Sequence, residues 1–263
     1  MNLIGRTTRK RYYEDPYLAR SEAVVVRRGE DYLELDATVA YPEGGGQESD
    51  RGVIHLPDGR AIRFIEAKRM YGHAPRLEGF PDIEVEGVIW HVIHPDDRPV
   101  AAKIEAGTAV EVEIEVERRA RLTLSHSAAH LVYLGIARYR PDAIAGLFGC
   151  HIKLDGARFD FRVEERFTPD VVQSIEAFAN ALVSRSAAIR VETHPQHPDA
   201  RIWCCEDARI PCGGTHLRAT DAVGQMRVRR KCLGSGKERL TCEFPEARIE
   251  LGPYRSETAT VCS

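Results

Sequence analysis

The chain has 263 residues, enough for one large domain or for two ordinary domains that each bury a core. Hydrophobic residues make up 43% and charged residues 29% of it, which is typical of a globular protein and argues against extensive disorder. The net charge of -3 excludes a uniformly basic surface for indiscriminate nucleic-acid binding, but it allows a local basic patch.

The sequence predicts a cytoplasmic protein that does not associate with membranes. No apolar run approaches the roughly 20 residues needed to span a bilayer. The N-terminal segment M-N-L-I-G-R-T-T-R-K lacks the apolar core of a secretory signal. The cysteine content is seven, an odd number without framework-like spacing, which indicates reduced thiols or metal ligands rather than disulfides.

The N-terminal part of the chain is predicted to be all β. Two β-rich runs flank residues 28–31, as in a hairpin, and further strands are expected over residues 61–68, 88–93 and 110–116. In the last of these runs, apolar residues alternate with glutamates, which gives one buried and one solvated face. We expect residues 1–105 to form a small β-barrel domain.

The period of the apolar residues changes at Glu117. A proline-free helix is predicted over residues 118–139, and a second helix follows the cap-like Thr168 and runs to about residue 185. Further strands are expected over residues 158–163, 224–230 and 238–244. Residues 106–263 are therefore predicted to form an α+β domain, with helices packed on an antiparallel sheet.

Two short motifs predict a zinc site. His126 and His130 are four residues apart in the first predicted helix, so both imidazoles can face one ion. Cys212 and His216 have the same spacing in C-G-G-T-H, where two glycines permit a tight loop. Three nitrogens and one sulfur suit Zn²⁺ better than Ca²⁺ or Mg²⁺. A zinc protease is disfavoured, because Ser127 replaces the glutamate of an H-E-x-x-H motif.

These motifs carry a family resemblance. H-S-A-A-H, A-R-F-D-F and C-G-G-T-H, with Y-P-E-G-G-G-Q-E-S-D-R-G upstream, resemble the editing domain of alanyl-tRNA synthetase and its freestanding relatives, the AlaX proteins. The match spans nearly the whole chain, and four ordered motifs are more specific than either half of the zinc site. The resemblance implies a protein of the intermediate-length AlaX type that edits aminoacylated tRNA and does not charge it.

The resemblance also implies roles for individual residues. The zinc and catalytic residues correspond to His126, His130, Cys212 and His216. The motif that modulates editing from the barrel corresponds to Gly44, Gly45 and Gly46. One departure is Ile210, where many relatives have a cysteine; it is expected to matter little for the metal.

The glycine motif has two possible interpretations. It lacks the lysine and hydroxyl residue of a P-loop, so no nucleotide cofactor is expected. It is either an ordinary turn or a backbone surface presented to the second domain or to the tRNA end. A glycine run of the second kind implies close backbone approach or positive φ angles.

The implied reaction is hydrolysis of the ester that links an amino acid to the terminal ribose of tRNA. Zinc could activate water, polarise the carbonyl group or hold the amino group, and the sequence leaves these alternatives open. His216 is expected to be the displaceable ligand, because four permanent protein ligands would make the site structural. Backbone donors of Gly213, Gly214 and Thr215 are expected to bind the substrate.

Pocket selectivity predicts the substrate. A pocket for a small apolar side chain rejects an added hydroxyl by only about a hundredfold, whereas a site that hydrogen-bonds the hydroxyl can discriminate by about 10⁴ or more. The leading expectation is therefore a zinc-dependent deacylase for Ser-tRNA(Ala). The alternatives are a deacylase for threonyl-tRNA or a substituted, for example fluorinated, threonyl-tRNA, and a non-catalytic zinc-stabilised RNA-binding module.

Two basic clusters are candidates for contacts with RNA. One is the segment 118–121, and the other comprises Arg227, Arg229, Arg230 and Lys231. Each is equally well explained as a solvated face of the protein.

Overall fold

The computed structural model describes residues 6–80 and 83–256. Its helices are α1 (Arg11–Glu14), α2 (Arg98–Ala101), α3 (Val116–Tyr139), α4 (Pro141–Ile144) and α5 (Pro169–Ser184). Its strands are β1 (Arg9–Lys10), β2 (Leu18–Arg28), β3 (Tyr32–Leu35), β4 (Ala37–Thr38), β5 (Gly52–His55), β6 (Ala61–Met70), β7 (Val88–Ile93), β8 (Ala109–Ile114), β9 (Leu147–Lys153), β10 (Gly156–Arg162), β11 (Ile189–Thr193), β12 (Arg201–Cys205), β13 (Ala208–Pro211), β14 (Arg227–Gly234), β15 (Lys237–Glu243) and β16 (Arg255–Ser256). The mixture of helices and sheets confirms the α+β fold class.

A closed antiparallel barrel contains six of the strands. Their order is β2, β3, β7, β6, β5 and β8, and β8 closes the barrel because it pairs with both β5 and β2. The alternation predicted for β8 is confirmed, since Val110, Val112 and Ile114 are buried in the barrel core. The predicted hairpin is also present, with Arg28 of β2 paired to Leu33 of β3.

The barrel does not end at residue 105, where the sequence placed its boundary. The closing strand β8 reaches Ile114, because a barrel needs a strand that pairs with both of its open edges. Near the other end of the chain, β16 pairs in parallel with β2, so Arg255 lies beside Leu18. Two separate buried clusters of apolar residues support two cores. The division into two domains remains a prediction.

The second half of the chain contains two antiparallel sheets and the two long helices. One sheet has the order β14, β15, β10, β9, and the other has the order β11, β12, β13. Helix α3 packs against α5 and against β9 and β10. The predicted cap of α5 is confirmed, since Thr168 Oγ1 accepts a hydrogen bond from the Val171 N–H at 3.4 Å. No helix among the described residues is long and apolar enough to cross a membrane.

Helix α3 lies at the centre of the second half. Residues 122–132 are all buried, so this segment has no solvated face. Several of these buried residues are polar, among them Thr123, His126 and His130. Buried polar groups need hydrogen-bond or metal partners. The centre of α3 is therefore where a functional site is expected.

Candidate metal centre

The structure brings the four predicted ligands together. One nitrogen of each of His126, His130 and His216 and the sulfur of Cys212 lie within 4.8 Å of one another. Cys212 Sγ is 3.4 Å from His126 Nε2 and 3.3 Å from His216 Nε2. Helix α3 supplies the first two residues, and the loop after β13 supplies the other two. A possible metal-binding group is thus present at the residues that the sequence predicted.

The electrostatics of the cluster fit a bound divalent cation. Burial lowers the pKa of His130 to about 3 and holds the pKa values of His126 and His216 well below 6.5, so each imidazole is neutral and offers a lone pair. Burial raises the pKa of the Cys212 thiol to about 12. A nearby cation stabilises the thiolate and offsets this cost. Three neutral imidazoles and one sulfur are a donor set that suits zinc.

Gln47 fixes the orientation of one of these histidines. Gln47 Oε1 lies 3.1 Å from the backbone nitrogen of Thr215, which can only donate. The same oxygen is 2.7 Å from His126 Nδ1, so Nδ1 carries the proton and donates it. The unprotonated Nε2 of His126 consequently faces Cys212. This is the arrangement by which a hydrogen-bonded partner prepares a histidine for a metal.

Sequence reasoning missed Gln47, although it follows the glycine run directly. Its side chain is fully buried, and its Nε2 donates to Thr215 Oγ1 at 3.0 Å. One feature of the sequence could have identified it. Gln47 is a residue that can both donate and accept hydrogen bonds, and it stands beside three glycines in a motif otherwise rich in small and acidic residues.

The glycine motif packs against strand β9. Gly46 has a φ of 83°, and a Cβ there would lie 2.9 Å from the carbonyl oxygen of Cys150. The carbonyl group of Gly46 accepts a hydrogen bond from the Ile152 N–H at 2.7 Å. Gly45 also has a positive φ, of 59°, but no atom lies within 4 Å of a Cβ built there. The close approach expected of the glycine run therefore occurs at Gly46.

A buried ion pair ties the same motif to helix α3. The guanidinium of Arg119 pairs with the carboxylate of Asp50, and both side chains are almost completely buried. Asp50 also accepts a hydrogen bond from the Tyr41 N–H at 2.7 Å. Arg119 donates to the carbonyl oxygens of Val39 at 2.6 Å and Pro16 at 2.9 Å. These bonds hold the barrel motif in place over the helix that carries His126.

The basic segment 118–121 is largely used inside the protein. Arg118 donates to the carbonyl oxygen of Ser49 at 2.9 Å and pairs with Glu48 at 2.8 Å. Arg121 pairs with Glu117 one helical turn away, at 2.9 Å. With Arg119 buried as well, this segment provides no free cluster of cations for RNA.

The loop from Cys212 to His216 depends on its second glycine. A Cβ at Gly214 would lie 2.1 Å from His126 Cε1, so only glycine allows the loop this close to the imidazole. The Gly214 N–H donates to Cys212 Sγ at 3.4 Å, and the Thr215 N–H donates to Gln47. Two of the three N–H groups expected to bind substrate are therefore already engaged. Gly213 is the one of the three that lines the larger cavity.

A cavity of about 820 Å³ adjoins the cluster. His126, His130 and Cys212 line it, together with the glycine motif and strand β6 of the barrel. His216 lines a second cavity of about 440 Å³ instead, so it closes the cluster from the opposite side. The wall of the larger cavity also includes the apolar side chains of Ala129, Leu147, Ile152 and Phe159.

The second predicted basic cluster lies on β14, an outer strand of its sheet. Arg230 pairs with the carboxylate of Glu238, and Arg229 lies 3.4 Å from that of Glu243. Neither Arg227 nor Lys231 lines either of the two cavities. A role of this cluster in RNA binding remains a prediction.

The closed barrel, the α+β half and the buried histidine and cysteine cluster define a protein with a candidate zinc centre at the wall of a ligand-sized cavity. Over 89% of its length the chain is 28% identical to the alanyl-tRNA editing protein AlaX-M of Pyrococcus horikoshii, of which it covers 96%. It is also 30% identical over 84% of its length to the alanine–tRNA ligase of Ignicoccus hospitalis, and 28% identical over 92% to that of Pyrococcus furiosus. No family model matches the chain.

The chain thus resembles the AlaX proteins and the matching region of alanine–tRNA ligases, as its motifs predicted. It spans about a quarter of the length of these ligases, 24% in one case and 26% in the other. It matches AlaX-M over nearly the whole of both chains.

Proposed function

We propose that this protein is a zinc-dependent aminoacyl-tRNA deacylase that acts in trans on mischarged tRNA, with Ser-tRNA(Ala) as its substrate. The observation that carries the proposal is the cluster of three histidines and one cysteine, oriented by Gln47 and open to the larger cavity. The name of the relative AlaX-M, an alanyl-tRNA editing protein, supports the editing role. Such an activity belongs to the cytoplasm, where translation occurs.

The residues of the cluster bind the metal and present it to the cavity. When bound, zinc supplies a Lewis acid for hydrolysis of the ester. His126, His130 and Cys212 face the cavity, whereas His216 completes the donor set from the far side. Gln47 keeps the proton of His126 on Nδ1.

The second requirement is a donor for the charge that develops on the ester carbonyl. We assign this role to the backbone of Gly213, which lines the cavity directly beside Cys212. Gly214 and Thr215 act differently, because their N–H groups hold Cys212 and Gln47 in place. They are positioning residues for the cluster.

The size of the cavity supports a substrate larger than a free amino acid. Pockets for drug-sized ligands have volumes of about 300 to 1,000 Å³, and this cavity has about 820 Å³. It can therefore accept the terminal nucleoside together with the aminoacyl group. The glycine motif of the barrel forms part of its wall, which is how the N-terminal half would contribute to editing.

Single-turnover hydrolysis of aminoacylated tRNA tests this proposal. Zinc-loaded protein should cleave Ser-tRNA(Ala) at least about 10⁴-fold faster than Ala-tRNA(Ala), because only serine has a hydroxyl to satisfy a buried partner. Metal-free protein should cleave neither. If threonyl-tRNA or a fluorinated threonyl-tRNA is cleaved faster than Ser-tRNA(Ala), the protein is still a deacylase, but its substrate is the threonyl ester.

Two outcomes would contradict the editing role itself. Equal cleavage of all esters would show that the cavity does not discriminate between amino acids. Binding of tRNA without any hydrolysis by zinc-loaded protein would instead identify a non-catalytic RNA-binding module.

A further inference from the structure

Two arginines line the larger cavity without a carboxylate partner. Arg69 belongs to strand β6 of the barrel, and Arg201 is the first residue of β12. Among the described residues, neither guanidinium lies within salt-bridge distance of a carboxylate. Most other arginines near the site are paired, as Arg118 and Arg119 are. An unpaired cation in the wall of a cavity is suited to an anionic ligand.

Arg69 and Arg201 meet at the ring of Tyr13. The guanidinium of Arg201 lies over this ring, 4.7 Å from its centroid. Arg69 Nη2 donates to Tyr13 Oη at 3.3 Å, and Arg69 Nη1 donates to the carbonyl oxygen of Glu84 at 2.6 Å. Three parts of the chain, the barrel, helix α1 and strand β12, thus place two guanidinium groups at one point of the wall.

This point is next to the candidate metal centre. The carbonyl oxygen of Arg201 accepts a hydrogen bond from the Cys212 N–H at 2.9 Å. A Cβ built at Gly213 would lie 2.9 Å from Tyr13 Oη, so the tyrosine hydroxyl abuts the metal-binding loop. An anion bound between the arginines and the cluster would offset the cost of keeping these cations away from water.

None of the carboxylates in the described wall of this cavity forms an ion pair with the two arginines, although that of Asp199 acts on both electrostatically. Asp199 is engaged by Lys10 and by the backbone N–H of Glu86. Glu66 pairs with Lys68 at 3.1 Å. The remaining carboxylates of the described wall, those of Glu43 and Glu84, belong to residues exposed to solvent.

We propose that Arg69 and Arg201 bind the phosphodiester that joins the terminal nucleotide of tRNA to the nucleotide before it. The inference rests on the proposed deacylase function. The aminoacyl ester and this phosphodiester are attached to the same ribose, so an ester placed at the cluster brings the phosphate to the adjoining wall. The planar guanidinium of arginine suits a phosphate group, which it binds through two parallel hydrogen bonds.

The test compares two esters that differ by this phosphodiester. One is seryl-adenosine, and the other is the seryl ester of the dinucleotide CpA. For the wild type, kcat/KM should be at least tenfold higher with the dinucleotide ester. The variants R69Q and R201Q should each reduce this ratio by about tenfold. A ratio that stays at the wild-type value in both variants, or a wild type without any preference, would overturn the inference.

The variant R209Q is the matched control. Arg209 lies on β13, beside β12, and its side chain is exposed and paired with Glu192. It lines neither of the two cavities. R209Q should keep the wild-type ratio. If R209Q and R201Q reduce the ratio of kcat/KM for the two esters equally, the preference for the dinucleotide ester comes from general electrostatics and a specific phosphate site is rejected.

Binding of uncharged CpA separates this inference from the proposed function. Calorimetry should show tighter binding of CpA than of adenosine, and a loss of this difference in R69Q and R201Q with zinc content retained. The dependence of log K on log salt should become shallower by about 0.7 for each lost phosphate contact with a single strand. If the wild type binds CpA selectively but cleaves neither ester, the phosphate site is supported and the deacylase function is refuted. If the wild type cleaves the esters but binds CpA no better than adenosine, the phosphate site is refuted and the deacylase function is not.

Discussion

Gln47 Oε1 lies 2.7 Å from His126 Nδ1, although 79 positions separate the two residues in the sequence. Gln47 belongs to the glycine-rich segment of the barrel half, and His126 belongs to the central helix of the other half. The candidate metal centre is therefore assembled from both parts of the chain. A change in the barrel can alter the centre without touching any of the four ligands.

The variant Q47A should weaken zinc binding by about 10- to 100-fold, because His126 loses the acceptor that fixes its tautomer and ring orientation. Competition with a chelator measures this affinity. The control is Q173A, at an exposed position of helix α5. Wild-type zinc affinity in Q47A would show that the hydrogen bond does not support the centre.

The variant C212A should lose most of the bound zinc, since it removes the one sulfur of the donor set. We expect about one zinc ion per chain in the wild type and a small fraction of that in C212A, measured by elemental analysis. Cys232 is an exposed thiol on β14, so C232A should keep the wild-type content. Full zinc occupancy in C212A would refute the cluster as the metal site.

The variant G46A should reduce deacylation at least tenfold. An added Cβ would meet the backbone of Cys150, and the φ of 83° is strained for alanine. The expected cost is about 1 to 3 kcal/mol, which displaces the glycine motif from β9. Gln47 directly follows Gly46 and orients His126, so zinc affinity should also fall, and the deacylation rates are compared at saturating zinc. Deacylation rate, zinc content and melting temperature are the measurements.

Gly59 provides the matched control for this strain. Its φ is 82°, nearly that of Gly46, but no atom lies within 4 Å of a Cβ built there. G59A should therefore carry a similar backbone cost without moving the motif. If G46A and G59A deacylate equally well, the contact between Gly46 and Cys150 has no part in the reaction.

The barrel core should lose stability in acid through His91. This residue is fully buried, and burial lowers the pKa of its imidazole from 6.5 to about 4. Its folded-state pKa is below its unfolded-state pKa, so the unfolded state binds the proton more readily. His91 therefore leaves the free energy of unfolding unchanged above pH 6.5, and it lowers this free energy as the pH falls from 6.5 to about 4. The slope is about 1.4 kcal/mol per pH unit, or about 3 kcal/mol in total.

Urea unfolding across this pH range tests the assignment. The variant H91Q keeps hydrogen-bonding capacity near Thr38 and Leu33 but has no titrating imidazole, so its free energy of unfolding should fall less steeply with decreasing pH. The control H73Q, at an exposed histidine, should retain the wild-type slope. Identical slopes in H91Q and the wild type would exclude His91 as the source.

Local sequence patterns determined the elements that carry the site. The alternation of β8, the cap at Thr168 and the extent of helix α3 follow from contacts within a few residues, and all three were predicted. Strands β9 and β11–β13 were not predicted. They are short and mix glycine, proline, charged and apolar residues, so only pairing with neighbouring strands stabilises them.

The sequence by itself determined the family resemblance, the α+β class and the identity of the four candidate ligands, because short motifs, helical spacing and a glycine loop are local properties of the chain. Only the tertiary structure decided how these ligands are oriented and what surrounds them. Gln47 reaches His126, and Arg69 reaches Tyr13, through contacts between residues far apart in sequence. Such contacts depend on the closure of the barrel and its docking on α3 by the Asp50–Arg119 pair. No periodic pattern in the sequence predicts these contacts. The two partners lie in different elements, and only the packing of the whole chain brings them together.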